Sequence, residues 1–292
     1  MNGIILVDKQ KGDTSHDVVQ KIRHLYHLKQ VGHTGTLDPM ATGLLPVCLG
    51  KATKVAEYIS NDKKAYVARA VKGIRTDTGD VTGTVYASSD QHSIPDDMEP
   101  ILKSFRGEQM QLPPMYSALK YKGRKLYEYA REGICVPRKE RPITVSKLEL
   151  LDRSEEEIDL LAEVSSGTYI RTLIDDIGVA CGCYFTMKEL RRVSVGNISI
   201  RASHTLDEIE SMDDAERQEL ILPMDLLLEH MPAIRLPEHR KQAMLNGMSS
   251  HITFSYVDAP YYRVYAGDTF IGLGTIKKED AHHELFMKKV LK

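Results

Sequence analysis

The amino-acid sequence predicts an α+β fold, with a mixed, largely antiparallel central sheet and flanking helices. Three observations lead to this prediction. Helical and strand patterns are intermixed along the 292 residues, two adjacent strand patterns form a hairpin over the short turn at 152–154, and strand patterns dominate the end of the chain. A doubly wound parallel sheet would instead require strands and helices to alternate regularly.

The first half of the chain begins with a buried strand and a helix. Thr14 and Asp17 open the helix, and apolar residues at helical spacing follow them. Further along, a strand containing Tyr66 is predicted to be central in its sheet, and a turn-rich segment joins it to a short antiparallel partner. The predicted elements are a strand at 3–7, a helix from 14, a helix at 52–60, and strands at 64–74 and 84–87.

The second half mixes both element types and ends in a compact β-rich region. Ser93 is predicted to cap a helix, and Gly133 is well placed just after the end of another. The predicted elements are helices at 93–105, 123–133 and 168–180, a strand hairpin at 144–151 and 157–164, a short helix at 239–245, and strands at 261–266 and 269–275.

Charge is distributed unevenly along a chain whose net charge is only −2. Residues 1–150 hold 23 Lys+Arg and 17 Asp+Glu, whereas residues 151–292 hold 16 and 24. Eight cations share one stretch: Lys120, Lys122, Arg124, Lys125, Arg131, Arg138, Lys139 and Arg141. A localised basic surface of this kind binds phosphates whatever the net charge is, so the stretch predicts a nucleic-acid contact.

Composition argues against several other classes of protein. Four cysteines in a chain of this size do not indicate a disulfide framework, and the C-x-C pair Cys181 and Cys183 is a weak metal pattern, so no metal is predicted. No window approaches 18 uncharged apolar residues, and the N-terminus lacks the features of a secretory signal. We therefore expect a cytoplasmic protein without a membrane span.

The most informative segment is residues 32–46, which surround Asp38 with residues typical of a rigid loop. Gly35 and Gly43 permit backbone conformations closed to other residues, and Pro39 restricts both itself and Asp38. An ordinary Asp-Pro turn, in which the carboxylate caps its own backbone, is the alternative interpretation. Neither common phosphate-binding glycine pattern is present in this segment.

This segment resembles the catalytic loop of the TruB family of tRNA pseudouridine synthases, whose motif is G-H-x-G-x-L-D-P-x-A-x-G-x-L-x. Every fixed position matches. Further matches follow the family order at residues 3–12, 64–80, 111–120, 167–173 and 190–192, with Gln10 or Gly12 where the family usually has proline. The resemblance covers nearly the whole chain.

The resemblance implies a set of site residues around one extruded uridine. The implied catalytic residues are Asp38, Tyr66 and Arg171: Arg171 pairs with the Asp38 carboxylate, and Tyr66 stacks on the uracil. Asp38 could act as a nucleophile at the sugar or base, or as a base that removes a sugar proton, and the sequence does not choose between these roles. The implied substrate-binding residues are His33, Asp77, Tyr169, Leu190, Lys120 and Arg124.

Several of these residues could instead have ordinary structural roles. Asp77 could cap a tight turn rather than contact a loop base. Tyr169 and Leu190 could be core residues rather than pocket walls. His33 could satisfy loop backbone groups rather than fill the gap left by the flipped base.

The resemblance also implies a domain organisation and a substrate. Residues 1–232 would form the catalytic domain, with an RNA-gripping insertion at 113–141, and residues 233–292 would form a PUA-like RNA-binding domain. The implied reaction converts uridine 55 in the T-stem-loop of tRNA to pseudouridine. No cofactor and no obligate protein partner are expected, and the expected state is a monomer.

The alternatives are an RNA chaperone, a synthase that depends on a guide RNA, and a hydrolase. An RNA-binding, tRNA-folding chaperone with incidental catalysis would use the same insertion and C-terminal region. A guide-RNA-dependent synthase would need partner subunits, and the self-contained chain argues against it. A hydrolase based on Ser15, His16 and Asp17 is excluded, because consecutive helical residues point about 100° apart.

Overall fold

A computed structural model describes residues 1–59, 63–89, 93–279 and 282–291. It confirms the predicted α+β class, since long strands alternate irregularly with short helices. The strands are β1 (Gly3–Lys9), β2 (Val31–His33), β3 (Thr42–Leu49), β4 (Lys64–Lys72), β5 (Ile74–Thr76), β6 (Val85–Ser88), β7 (Gly107–Gln111), β8 (Lys120–Tyr121), β9 (Arg124–Lys125), β10 (Arg141–Arg153), β11 (Glu157–Val164), β12 (Phe185–Val195), β13 (Ile198–Ser199), β14 (His204–Thr205), β15 (Ala233–Leu236), β16 (Ser250–His251), β17 (Tyr262–Ala266), β18 (Thr269–Glu279) and β19 (His282–Val290).

The α-helices are short, and single turns of 3₁₀-helix occur between them. They are α1 (Ser15–Leu25), α2 (Ala56–Ile59), α3 (Glu99–Ser104), α4 (Leu126–Arg131), α5 (Ile170–Cys181), α6 (Leu206–Ser211), α7 (Asp214–Glu219) and α8 (Lys241–Leu245). The 3₁₀ turns are Gly50–Lys54, Ile200–Ala202, Leu226–Leu228 and Glu238–Arg240. The helix predicted at 52–60 is thus a 3₁₀ turn followed by α2, and its predicted end at Ser60 lies outside the described residues.

The chain forms two compact units, and the first contains both ends of the sequence. Unit 1 comprises Met1–Pro39, Gly43–Asn61 and Asn197–Lys292, and unit 2 comprises Met40–Thr42 and Asp62–Gly196. In unit 1, β1 pairs antiparallel with β3 and parallel with β14, and β2 pairs antiparallel with β3. The apolar residues of β1 and β3 are buried, which anchors the strand that follows the Asp38 loop.

Unit 2 is organised around an antiparallel sheet with the strand order β12-β4-β11-β10-β7. β4 hydrogen-bonds to both β11 and β12, so the prediction that the strand containing Tyr66 is central is confirmed for this unit. The predicted hairpin of β10 and β11 is also present. The short partner strand β6, however, pairs with β5 rather than with β4, because the chain breaks its strand at Gly73.

Residues 233–291 of unit 1 contain a separate five-stranded sheet with the order β15-β17-β18-β19-β16. It has its own apolar core, which includes Ile234, Met244, Val264 and Leu285. The predicted strands near 261–266 and 269–275 correspond to β17 and the first part of β18, which extends further than predicted. The β-rich character of this region is confirmed, whereas the domain boundary at 232 stays a prediction.

Local capping explains where some helices begin and where the prediction fails. Thr14 caps α1, and the Thr14 side chain and Asp17 form reciprocal hydrogen bonds, as the sequence pattern indicates. Ser93 does not cap a helix, because α3 begins only at Glu99. Ile94 and Met98 are both buried, so the chain between them contributes core residues before it turns helical. Residues 124–125 likewise form β9, and α4 begins after them.

Arg75 of β5 joins the β5–β6 hairpin to α5. Arg75 makes a bidentate ion pair with Asp175, with distances of 2.7 and 2.6 Å, and its guanidinium lies over the rings of Tyr86 and Tyr184. Burial and the neighbouring Asp175 carboxylate raise the pKa of Asp176 to about 6. This helix therefore carries one carboxylate that is paired with an arginine and one whose pKa is raised.

Candidate active site

Asp38 is half-buried in the loop between β2 and β3 of unit 1, and the residue before it is fixed by a buried hydroxyl. The Leu37 backbone N–H donates to Ser15 Oγ at 2.9 Å, and the Ser15 hydroxyl donates to the Leu37 carbonyl at 3.2 Å. Both residues are buried. Ser15 begins α1, so the capped helix and the Asp38 loop are tied together at this point.

The residue after Asp38 is fixed by two further donors. The Pro39 carbonyl accepts hydrogen bonds from the Gly12 backbone N–H at 2.8 Å and from Lys9 Nζ at 3.3 Å. Lys9 is completely buried and also donates to the Asp13 carbonyl at 2.7 Å. Since a buried ammonium must be compensated, these carbonyls make the turn after β1 rigid. The backbone on both sides of Asp38 is therefore held in place.

Arg171 occupies the first turn of α5 in unit 2 and is only 7% exposed. Its guanidinium donates to the Thr78 carbonyl at 2.6 Å and to the Tyr116 carbonyl at 2.8 Å. Its Nη1 atom lies 3.7 Å from Asp80 Oδ2, and the Asp80 side chain is equally buried. The guanidinium thus joins α5, the 77–83 turn and the start of the predicted insertion. The predicted pairing of Arg171 with Asp38 stays a prediction.

Asp77 and Asp80 organise the turn between β5 and β6. Asp77 Oδ1 accepts from the Thr84 backbone N–H at 2.8 Å, and Asp77 Oδ2 accepts from the Tyr116 hydroxyl at 3.3 Å. Burial and the Asp77 carboxylate raise the pKa of Tyr116. Asp80 Oδ1 accepts from the backbone and the hydroxyl of Thr82 at 3.0 and 2.5 Å. Asp77 has the capping contact of the turn interpretation, and its proposed contact with RNA stays a prediction.

Tyr66 and Leu190 lie on the same face of the unit 2 sheet. Leu190 of β12 is directly opposite Ala68 of β4, and Tyr66, two residues before Ala68, is opposite Arg192. Tyr66 and Leu190 are both mostly buried. Arg191, which follows Leu190, donates to the hydroxyl of Thr42, also in unit 2, at 3.3 Å. The sheet therefore brings two predicted site residues together.

Tyr169 is the residue before α5, and the Gln111 side chain bonds to both its backbone N–H and its carbonyl. Gln111 Oε1 accepts from the Tyr169 N–H at 2.8 Å, and Gln111 Nε2 donates to the Tyr169 carbonyl at 3.1 Å. Gln111 is buried at the end of β7, directly before the predicted insertion. This contact fixes the start of the helix that carries Arg171. His33 is half-buried at the end of β2, paired in register with Val47.

The predicted insertion contains the β8–β9 hairpin and α4, and it encloses a small cavity. The cavity measures about 290 Å³, and apolar residues and four cations line it. The cations are Lys120, Arg138, Lys139 and Arg141. Arg124 has a different environment, because Glu128 and Glu132 both form ion pairs with it and the charge-assisted bonds raise its pKa. Within unit 2, Lys120 is thus better placed than Arg124 to meet an anion.

Several residues of this site were not identified from the sequence. Lys9, Ser15, Asp80 and Gln111 all position predicted residues through contacts distant in sequence. A weak signal existed for Asp80, which is the last residue of the family match at 64–80. In the described part of the chain, no three His, Cys, Asp or Glu side chains are grouped as metal ligands would be. No helix of those residues has the length and apolarity of a membrane span.

Chemically, unit 1 presents a carboxylate on a fixed loop. Unit 2 presents a buried guanidinium and an aromatic ring at the surface of a sheet. A fixed carboxylate can act as an acid, a base or a nucleophile, and a buried guanidinium or an aromatic ring can orient a polar or planar group.

The chain matches two family models along much of its length. The model described as "TruB family pseudouridylate synthase (N terminal domain)" matches residues 23–170, and "tRNA pseudouridylate synthase B C-terminal domain" matches residues 171–229. A relative from Chromobacterium violaceum named tRNA pseudouridine synthase B is 42% identical over 98% of this chain and 94% of its own length. One with the same name from Chromohalobacter salexigens is 43% identical over 94% and 91%.

Solved structures give the same result for the fold. A chain of an H/ACA ribonucleoprotein bound to a substrate RNA containing 2′-deoxyuridine has a TM-score of 0.76 and 25% identity, covering 99% of this chain and 85% of its own. Together, the fold and these similarities define the protein as a pseudouridylate synthase, an isomerase. The chain belongs to the TruB family.

Proposed function

We propose that this protein converts uridine 55 in the T-loop of tRNAs to pseudouridine, with Asp38 as the catalytic residue. The observation that carries the proposal is the full-length similarity, above 40% identity, to relatives named tRNA pseudouridine synthase B. The fixed backbone on both sides of Asp38 supports the choice of catalytic residue. Those relatives also favour the stand-alone enzyme over a guide-RNA-dependent one.

The reaction breaks the N1–C1′ bond, rotates the base and forms a C5–C1′ bond. Uridine and pseudouridine are isomers, so a proton leaves C5, N1 gains one, and no oxidant or reductant is needed. The base must leave its stack before the enzyme can reach these atoms. A rigid loop suits this chemistry, because an acid that is already oriented loses no conformational entropy in the transition state.

The other site residues have proposed roles toward the same uridine. Tyr66 stacks on the extruded uracil, and Tyr169 and Leu190 form apolar walls. Arg171 orients the catalytic carboxylate, while its hydrogen bonds to the Thr78 and Tyr116 carbonyls support a fixed guanidinium position.

RNA contacts outside the pocket are assigned to His33, Asp77, Lys120 and Arg124. His33 fills the gap left by the flipped base, and Asp77 contacts an unstacked loop base. Lys120 and Arg124 contact phosphates from the 113–141 insertion. The four cations around the 290 Å³ cavity support this role of the insertion.

The proposed organisation keeps residues 1–232 as the catalytic domain and 233–292 as a PUA-like RNA-binding domain. The separate sheet and apolar core of residues 233–291 support this division. We propose that the protein acts in the cytoplasm, where tRNA is matured, as a monomer without an obligate protein partner. Light scattering of the purified protein tests the last point.

The function is tested with an unmodified tRNA transcript labelled with tritium at uridine C5, because the proton at C5 is lost when the new bond forms. We expect tritium release and pseudouridine only at position 55. Asp38→Asn should abolish release while filter binding of tRNA is retained. Asp268→Asn, at a fully exposed carboxylate, is the matched control and should behave as wild type. Absence of product, or an active Asp38→Asn variant, would reject the proposal.

A second candidate is assistance in tRNA folding, favoured by the cation-lined cavity of the insertion. The Asp38→Ala variant separates the two functions. Wild type and this variant are each expressed in cells that lack the protein. If the Asp38→Ala variant restores tRNA folding to the same extent as wild type, folding assistance is a function independent of catalysis. If it does not, catalysis accounts for the phenotype.

A further inference from the structure

The C-terminal sheet carries an open depression that no catalytic assignment uses. It measures about 540 Å³, and it lies where the loop at 252–258, between β16 and β17, crosses the β18–β19 hairpin. Its volume falls in the range of about 300–1,000 Å³ typical of small-ligand sites. Its lining includes Phe254, Ser255, Tyr256, Lys278 and His283.

The loop at 252–258 is tied to the hairpin at three points. The Ile252 N–H donates to the His283 carbonyl at 2.8 Å, and Tyr256 Oη lies 2.9 Å from His283 Nδ1. Lys278 Nζ donates to Asp258 Oδ2 at 2.7 Å. Lys278 and His283 are directly opposite each other in the β18–β19 register, so their side chains share one face. The depression is therefore a built feature rather than a gap beside a loose loop.

Between these anchors the loop presents apolar side chains to solvent. Phe254 is 46% exposed and Val257 is 72% exposed, although Ile252, at the start of the same loop, is buried. An aromatic ring held at the surface beside hydroxyl groups and a lysine suits a ligand with a flat face and a negative charge. Tyr256 engages Nδ1 of His283, which leaves Nε2 as the ring atom for a ligand.

The charge of Lys278 remains accessible to an anion. The side chains of its ion pair with Asp258 are 52% and 73% exposed, and ion pairs this exposed contribute little to stability. A phosphate can pair with Lys278 in place of the carboxylate, and the loop then keeps its two contacts with His283, through Ile252 and Tyr256. Within an RNA helix the flat faces of the paired bases are covered by their neighbours, so an unpaired nucleotide is the form that offers a free face to Phe254.

We propose that this depression binds one unpaired nucleotide of an RNA chain, with the base stacked on Phe254 and a flanking phosphate at Lys278. The identity of the ligand as RNA rests on the proposed function. The site is separate from the chemistry at Asp38, so it contributes to the affinity and selection of RNA rather than to bond breaking.

The test measures binding of a labelled uridine tetranucleotide and of tRNA to the full-length protein carrying Asp38→Asn, so that turnover does not enter the result. We expect Phe254→Ala to weaken both by about tenfold, in line with the loss of one stacked base. Lys278→Gln should weaken binding and reduce the salt dependence by about one phosphate contact. The matched control is Lys277→Gln, because Lys277 lies on the opposite face, over the Phe286 ring.

Further arms of the test separate the possible sources of the ligand. A twelve-base-pair RNA duplex should bind equally to wild type and Phe254→Ala. If uridine monophosphate alone binds as tightly as the tetranucleotide, the depression is a free-nucleotide site and the RNA proposal is overturned. Equal tetranucleotide binding by wild type and Phe254→Ala, with matching melting temperatures, also overturns it. Absence of tritium release from wild type would instead reject the proposed function and leave this binding result standing.

Discussion

Replacement of Ser15 by alanine should loosen the Asp38 loop without touching any group that contacts substrate. The Ser15 hydroxyl accepts from the Leu37 N–H at 2.9 Å and donates to the Leu37 carbonyl at 3.2 Å, and both residues are buried. A buried group that loses its partner costs about 1–3 kcal/mol. Because water can reach part of a loop, we expect a total loss of about 2 kcal/mol in the local stability of the segment.

The consequence for catalysis should appear in kcat rather than in KM. A displacement of the reacting group by about 1 Å can reduce the rate roughly a hundredfold, so we expect a decrease in kcat of about 10- to 100-fold. Tritium release from C5-labelled tRNA gives both constants, and hydrogen exchange at the Leu37 amide reports the loop directly. The exchange rate should rise by about 30-fold, which corresponds to 2 kcal/mol.

A matched control is Ser104→Ala, because the Ser104 hydroxyl donates to the Ile101 carbonyl at an exposed position of α3. That variant should retain the wild-type kcat and the wild-type exchange of the Leu37 amide. If Ser15→Ala also retains both, Ser15 does not hold the loop and the reasoning is wrong. If exchange rises while kcat is unchanged, the rigidity of the loop does not matter for the reaction.

Three other changes follow from the structure. Asp80→Asn should lower the free energy of unfolding by about 2–4 kcal/mol, because the buried Arg171 guanidinium loses a carboxylate 3.7 Å away. An unchanged melting temperature would contradict this. Gly178→Ala should cost about 3 kcal/mol, since the added Cβ would lie 2.1 Å from the Phe185 backbone nitrogen, and thermal unfolding measures it. Burial raises the pKa of Asp176 to about 6, so its ionisation opposes folding as pH rises from about 4 to 6. Asp176→Asn should therefore stabilise the protein above pH 6, by at most about 1 kcal/mol at this partly exposed position, and have no effect below pH 4 in urea titrations.

The parts of the fold that the sequence predicts well are those with local causes. The capping box of Thr14 and Asp17 involves residues three apart, and α1 begins where it indicates. The apolar stripe of α5 follows from helical spacing, and its Ile170, Leu173 and Ile177 side chains are all buried. The hairpin of β10 and β11 has a short turn between two apolar runs. In each case the decisive contacts lie within a few residues.

The start of α3 shows how a local signal can be misread. Ser93 has the side chain of a good N-cap, and Pro95 follows closely. Proline disfavours the helical conformation of the residue before it, so Ile94 is a poor first residue for a helix that Ser93 would cap. The observed helix begins at Glu99, and its proline is Pro100, in the first turn, where proline is tolerated.

The support of the candidate site could not be predicted because its contacts are distant in sequence. Lys9 reaches the Pro39 carbonyl across 30 residues, and Arg171 reaches the Thr78 carbonyl across 93. A family motif identifies residues that are shared, but it does not state which backbone carbonyl each side chain satisfies. The sequence therefore identifies the site residues, but it does not identify the backbone groups to which they bond.

Ser15 shows how far a physical argument from the sequence could have gone. It lies on the same helical stripe as Val18, Val19 and Ile22, so the spacing alone places its hydroxyl on the buried face of α1. A buried hydroxyl needs a hydrogen-bond partner, and a hydroxyl at the first turn of a helix faces the chain that packs against that turn. The sequence therefore predicts that the Ser15 hydroxyl forms a hydrogen bond with a neighbouring backbone group. That this backbone is Leu37, next to Asp38, depends on how β2 and β3 fold onto the helix, which only the three-dimensional structure supplies.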